Sequence, residues 1–237
     1  TDLNNVRRLM RGEKAALVHT DPPYLVDYTG ADRPNDSGKL WEHKADIEVS
    51  DEAEAEQFLE ALFRGALEAS ELNAAWYIWH AHRRASLLER VLTRLGILIH
   101  QQIIWVKPTA IHGYSVWPWR HEPCLMGWRK GHKPRHDGDN SHEITSVWEV
   151  DWEGQAKPRH TFHPTQKPVE LFAIPMRKHT LPGEIVYEPC AGSGSQIIAA
   201  EQMGRRCYAM EIEPIFCDGI IRRWQAFTGR EAVREDG

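Results

Sequence analysis

The chain has 237 residues, 27% of them charged and 41% apolar, and a formal net charge of −5. That length allows one sizeable domain with a full core plus a small insertion, and that composition argues against wholesale disorder. No apolar run approaches the roughly 20 residues of a membrane helix, the start Thr1-Asp2-Leu3-Asn4-Asn5 lacks the regions of a secretory signal, and the negative balance excludes non-specific coating of nucleic acid.

In chain order, Leu17-Val18-His19-Thr20 is a short β-prone run that stops at Asp21-Pro22-Pro23-Tyr24, where two prolines cannot continue a ladder. From Tyr28 to Lys44 the chain is polar and rich in Gly, Pro, Asn and Asp. Residues 28–45 are therefore expected to be a long mobile loop. Ser50-Asp51-Glu52 opens a helix, in which Phe58, Leu59, Leu62, Phe63, Ala66 and Leu67 recur at helical spacing behind an acidic outer face. Ala75 to Trp79 reads as a strand, and Leu87, Leu88, Val91, Leu92 and Leu95 mark a helix that Gly96 ends. A β-rich run from Ile97 to Val106 closes at Lys107-Pro108, and Cys124 to Trp128 reads as a further strand.

From Arg129 to Phe162 the periodicity fades, apart from Val147-Trp148-Glu149-Val150, and the stretch reads as an insertion at the sheet's edge. Then come a helix from Val169 to Arg177 that Pro175 should kink, a strand from Glu184 to Tyr187, and a glycine turn. A helix from Gln196 to Met203, a strand from Arg206 to Met210 and a helix from about Phe216 to Phe227 complete the chain. Strands alternating with helices predict an α/β fold with a mostly parallel sheet.

The glycine turn, Glu188-Pro189-Cys190-Ala191-Gly192-Ser193-Gly194-Ser195, follows a strand and opens a helix, so its backbone can pass close to a ligand beside free N–H groups. Ile197 stands where a dinucleotide fingerprint has its third glycine, which argues against a bound pyrophosphate. Glu211 ends the next strand, where an acid suits ribose hydroxyls. Together they point to a nucleoside-type cofactor.

Asp21-Pro22-Pro23-Tyr24 sits at the carboxyl edge of the sheet, where α/β proteins bind ligands. An exocyclic base amine is a poor nucleophile because its lone pair is delocalised into the ring. A site that methylates it needs acceptors to draw the nitrogen toward tetrahedral geometry and a flat surface for the ring. Asp21 supplies a carboxylate, Pro22 a carbonyl, the Pro22-Pro23 pair rigidity, and Tyr24 a stacking face. The bland alternative is that the prolines end a strand and Tyr24 is buried.

In this order the two motifs resemble the beta class of DNA amino-methyltransferases, which modify adenine N6 or cytosine N4. His163-Pro164-Thr165-Gln166-Lys167-Pro168 is similar to the family's segment before the glycine strand. Ile103-Ile104-Trp105-Val106-Lys107-Pro108 with His121-Glu122-Pro123 resembles its middle strands, and Gly204 to Pro214 its ribose-binding strand. The resemblance implies a Rossmann-like methyltransferase fold, helices on both faces, with the catalytic half before the cofactor half. It implies S-adenosylmethionine as donor, S-adenosylhomocysteine as product and no metal. Asp21, Pro22, Pro23 and Tyr24 would be catalytic. Asp21, Glu188, Cys190, Ala191, Gly192, Ser193, Gly194 and Ser195 would hold the cofactor, with Glu211 and Ile212 at its nucleoside and His163, Thr165, Gln166 and Lys167 at its methionine end. The chain departs from the family at Cys190, where Phe is usual, and at Ser195, where Thr is commoner.

The resemblance further implies double-stranded DNA as substrate, no membrane, and residues 129–162 as a short target-recognition region, which leads us to expect short or degenerate target sequences. Asp at position 21 tilts the target toward adenine N6; cytosine N4, and a catalytically silent DNA-binding module of the same fold, stay open. A homodimer is open as well. Arg120, Arg129, Lys130, Lys133 and Arg135 form a local basic run suited to DNA. Cys124, Cys190, Cys207 and Cys217 form no C-x-x-C pair, so a reducing cytosol fits best, and the resemblance implies a bacterial or phage-encoded cytoplasmic protein. His80-Ala81-His82 and His132 with His136 lack the three or four well-spaced ligands that zinc requires. Of the ten tryptophans, Trp117, Trp119, Trp148 and Trp152 flank the basic and recognition segments, where a ring can stack on a nucleotide.

Overall fold

All six residues of the first strand are buried, which requires cover on both faces and a neighbour on each side. The computed structural model, which describes residues 2–25, 51–111, 116–136, 144–152, 162–163 and 165–235, supplies both. Its elements are α1 (Leu3–Met10), β1 (Ala15–Thr20), α2 (Glu52–Ala69), β2 (Ser70–Trp79), a 3-10 turn (His82–Arg84), α3 (Ala85–Arg94), β3 (Ile97–Ile111), β4 (Trp119–Arg129) and β5 (Val147–Glu149). They continue as α4 (Val169–His179), β6 (Ile185–Glu188), α5 (Ser195–Gln202), β7 (Arg206–Ala209) and α6 (Pro214–Thr228).

One seven-stranded sheet has the order β5-β3-β4-β2-β1-β6-β7. Pairing is parallel between β1 and β2, β1 and β6, β6 and β7, and β3 and β5; β4 runs antiparallel to both neighbours. A single strand therefore points against the rest. The period of two along β2 divides the core. Ala74, Trp76 and Ile78 pack with Val6 and Met10 of α1, Leu59, Leu62 and Phe63 of α2, and Leu88, Val91 and Leu92 of α3. Ala75, Tyr77 and Trp79 face the other way, toward Leu171, Phe172 and Met176 of α4 and Ile198, Ala199 and Ala200 of α5. Helices thus cover both faces.

Several expectations shift. Helix α1 was not legible as a periodic segment; Asp2 caps it through its carboxylate on the Asn4 N–H (2.9 Å). Strand β3 does not close at Lys107-Pro108 but runs on to Ile111. Pro108 is tolerated because the pairing with β4 is broken between Val106 and Ile111, and β5 pairs no further than Val106, so no ladder bond needs its N–H. The apolar cluster at Val147 is an edge strand. Residues 28–45 lie outside the described residues.

Candidate active site

The sheet reverses its winding between β1 and β6: from β1 the chain moves to β2 on one side, whereas β6 leads to β7 on the other. Ligands of open α/β sheets bind in the crevice outside the carboxyl ends at such a point. The parallel register Val18↔Tyr187 sets the two strand tips side by side. They are joined directly, since the buried Thr20 hydroxyl donates to Glu188 Oε1 at 2.6 Å. The same oxygen accepts from the Cys190 N–H (2.9 Å). With its amide turned so that both neighbours are satisfied, the Gln196 nitrogen donates to the His19 carbonyl (2.6 Å) and Glu188 Oε2 (3.3 Å). Burial pushes the Glu188 carboxyl well above its usual range, so this group ties the two tips together instead of presenting a charge to a ligand.

Beyond Thr20, the tetrapeptide enters a buried ionic cluster. Lys167 pairs with one oxygen of Asp21 and with Glu122 Oε2 (3.0 Å), and Lys107 pairs with Glu122 Oε1 (2.5 Å). The Tyr24 hydroxyl donates to Glu122 Oε2 (3.0 Å) and accepts from Lys167 Nζ (3.1 Å). The ammonium of Lys167 also lies 5.4 Å from the ring centres of Tyr24 and Trp79. Burial would raise the Glu122 carboxyl, but two ammonium groups overcome it and hold it down to about 2. Burial raises the Asp21 carboxyl, and the Glu122 charge adds to that against the pull of Lys167. The second carboxylate oxygen, Asp21 Oδ1, is buried and has no hydrogen-bond partner among the described residues. The tetrapeptide is followed by Leu25, which holds φ +52°, a left-handed conformation costly for a bulky residue. Leu25 is 2% exposed, and Arg84 Nε donates to its carbonyl at 2.8 Å.

Across the crevice, Gly192 (φ +52°) and Gly194 (φ +72°) carry the chain round a turn that side chains resist. A Cβ on Gly192 would press on the His163 ring at 3.2 Å, and one on Gly194 on Ile220 at 3.0 Å. Glu211 at the end of β7 receives the Gly192 N–H (2.8 Å) on Oε2 and the N–H groups of Ile212 and Glu213 (2.8 and 3.0 Å) on Oε1. A tight glycine cradle with a carboxylate beside it fits an adenosyl group. Among the described residues no group of three His, Cys, Asp or Glu side chains is placed to hold a metal, and no helix is long and apolar enough to cross a membrane.

The sequence profile of the DNA methylase family, N6_N4_Mtase, matches residues 15–222, which include both strand tips and everything between them. The chain belongs to that family. Among the relatives of this DNA methylase is the type II methyltransferase M2.DpnII of Streptococcus pneumoniae, 24% identical over 92% of this chain and 85% of that protein. Another is M.BglII of Bacillus subtilis, 24% identical over 54% of this chain and 42% of its own length. A crystal structure of an M1.HpyAVI–SAM complex superposes with a TM-score of 0.68 (18% identity, 94% of this chain and 96% of that one). The cytosine-N4-specific PvuII DNA methyltransferase superposes at 0.67 (14% identity, 91% and 82%). The fold of this methylase is therefore the Rossmann-like methyltransferase fold, with the motif order expected from the sequence.

The structure brings Asp21, Pro22, Pro23 and Tyr24 to one tip, and Cys190, Ala191, Gly192, Ser193, Gly194, Ser195 and Glu211 to the other. His163 lies over Gly192 and against Phe216, with ring centres 4.5 Å apart, and Thr165 approaches His163 Nδ1 at 3.4 Å. Gln166 is half-buried, whereas Ile212 stands 81% exposed at the rim. Lys167, expected at the methionine end, has its ammonium on Asp21. Of the expected DNA residues only Arg120 stands at the catalytic edge. Because β4 runs against the sheet, Arg129, Lys130, Lys133 and Arg135 fall at or beyond its opposite end. There Arg129 holds Ser70 O (3.1 Å) at the start of β2, and Arg135 pairs with Glu184 (2.8 Å) before β6. The sequence marks Lys107 as the residue that closes a β-rich run and Glu122 as the acid within the basic stretch, and neither reading joins them to the tetrapeptide.

Proposed function

We propose that this DNA methylase transfers a methyl group from S-adenosylmethionine to the N6 amine of an adenine flipped out of double-stranded DNA, as part of a bacterial or phage modification system. The observation that carries this reading is the buried Oδ1 of Asp21, which has no partner among the described residues. A bare acceptor enclosed by protein is costly, and it is answered here by a donor that arrives with the substrate. An amine hydrogen is such a donor, and the Pro22 carbonyl is the natural acceptor for the second. Lys167 fixes the other Asp21 oxygen, so the carboxylate cannot turn away. Tyr24 is held by its hydroxyl with its ring available for stacking, which suits a base removed from its stack. Residues 190–195 with Glu211 and Ile212 would hold the donor's adenosyl part, and His163, Thr165 and Gln166 its methionine part. When bound, it supplies an electrophilic methyl group. Asp21 and Pro22 localise the amine lone pair, and the proton released after transfer has Asp21, raised by burial, as its nearest base.

Asp at position 21 supports adenine over cytosine. The bacterial type II relatives support DNA as substrate and a cytoplasmic setting. The test is transfer of labelled methyl groups to DNA followed by digestion to nucleosides. Wild type should yield N6-methyladenine, and Asp21→Ala should lose at least about 100-fold of the rate while still binding the methyl donor. N4-methylcytosine in the digest would overturn the choice of base; equal rates would overturn the role of Asp21.

A further inference from the structure

The residues that lead into β4 stand at the same edge of the sheet as Asp21. Val116 is 89% exposed, Trp117 82% and Trp119 43%. Large apolar groups gathered at one surface point mark an interaction site. Trp119 sits in a row of rings, with centroids 5.8 Å from His82 in the 3-10 turn and 5.2 Å from His121. Two arginines frame the row: exposed Arg83, and exposed Arg120, whose Nε is pinned to the Lys107 carbonyl at 3.1 Å. The acid next along β4, Glu122, is neutralised by Lys107 and Lys167. Flat rings with exposed cations, one of them fixed, and no free carboxylate on the strand beside them are the chemistry of nucleic-acid binding, in which bases stack on the rings and phosphates meet the guanidinium groups.

We propose that this ledge, and not the basic run after β4, grips the strand flanking the extruded base. The inference deepens the reading of the chain as a duplex-DNA methylase and rests on it. Its reach is suitable. Trp119 is three residues from Glu122, whose carboxylate touches Tyr24. Three extended residues span roughly 10 Å, or about three nucleotide steps along one strand. The rings therefore contact nucleotides adjoining the target.

The test measures binding of the full chain to a fluorescent duplex cut from DNA that the wild type methylates, alongside calorimetric binding of the methyl donor. Trp117→Ala and Trp119→Ala should each weaken DNA binding about 5- to 100-fold, with donor affinity unchanged as evidence of an intact fold. Trp119→Phe should recover most of the loss. Arg120→Ala should reduce the slope of log K against log salt by about 1, and Lys133→Ala at the far end should change neither quantity. Unchanged affinity in both tryptophan variants, or a Phe that fares no better than Ala, would overturn the ledge while leaving the methylase reading intact. A wild type that neither binds nor methylates duplex DNA would overturn both.

Discussion

The two oxygens of the Asp21 carboxylate are in different situations, one fixed by Lys167 and the other buried and without a partner among the described residues. The fixed one is steady only because Lys167 is itself shared with Glu122, and Glu122 with Lys107. These groups are enclosed: the two lysine side chains are 5% exposed and the two carboxylates 20%. An enclosed chain of alternating charges fails when one link is removed, because the neighbour left behind is a buried, uncompensated ion. Glu122→Gln strands Lys107 and removes the carboxylate to which the Tyr24 hydroxyl donates. It should cost about 3–5 kcal/mol of stability, read from the urea midpoint, and restore part of that loss when combined with Lys107→Met. By contrast, the exposed pairs of Arg94 with Glu56 (2.6 Å) and Glu60 (2.8 Å) join α2 to α3 in water, and Arg94→Ala should cost no more than about 1 kcal/mol. Equal losses from the two substitutions would show that burial does not distinguish the clusters.

At the scale of elements, β4 is the strand most constrained by its surroundings, since it alone runs antiparallel between two partners. Gly127 marks how closely β3 approaches: a Cβ there would lie 2.3 Å from the Leu98 carbonyl oxygen, a main-chain atom that cannot move aside without breaking the ladder. Gly127→Ala should therefore cost at least about 2 kcal/mol and lower Tm by about 4–8 °C; an unchanged Tm would contradict the close pairing. Nothing in the sequence distinguished this glycine, because the constraint comes from a residue 29 positions earlier. Where the cause was local, the reading succeeded. The apolar spacing of α2 and α3, Gly96 after α3 and the β-prone run of β1 stopped by two prolines each reflect a period or a turn that the sequence carries itself. The extension of β3 through Pro108 was illegible because it depends on where β4 breaks register and β5 stops.

For the whole molecule, topology decides what the candidate residues can share. The tetrapeptide and the glycine turn, 167 residues apart, meet because β1 and β6 are parallel neighbours, and the family resemblance anticipated that. The basic run after β4 could be seen in the sequence as charge but not placed, since its end of the sheet depends on the one reversed strand. That far end is closed by His179, where α4, β2 and the segment after β4 come together. Its Nε2 meets the Tyr77 hydroxyl at 3.0 Å and its Nδ1 the Arg135 carbonyl at 2.5 Å. Burial, aided by the charges of Lys178 and His136 and opposed by the Arg135 carbonyl, holds its pKa down to about 4. The folded imidazole is thus neutral, whereas the unfolded one takes a proton near 6.5. The unfolded state binds the extra proton between those values, so this group's stabilisation is complete above pH 6.5 and lost as pH falls toward 4. His19, held to about 3 by burial, acts in the same direction; Glu188 and Asp21, raised by burial, act in the opposite one. The wild-type slope is a balance of these groups, and the difference from a His179→Gln variant isolates one of them. Urea unfolding at pH 7.5, 5.5 and 4.5 should show the wild type losing about 1.4 kcal/mol per unit below pH 6.5 relative to the variant, about 3 kcal/mol by pH 4. A difference that stays constant over that range would mean that His179 takes up its proton as readily in the folded protein as in the unfolded one.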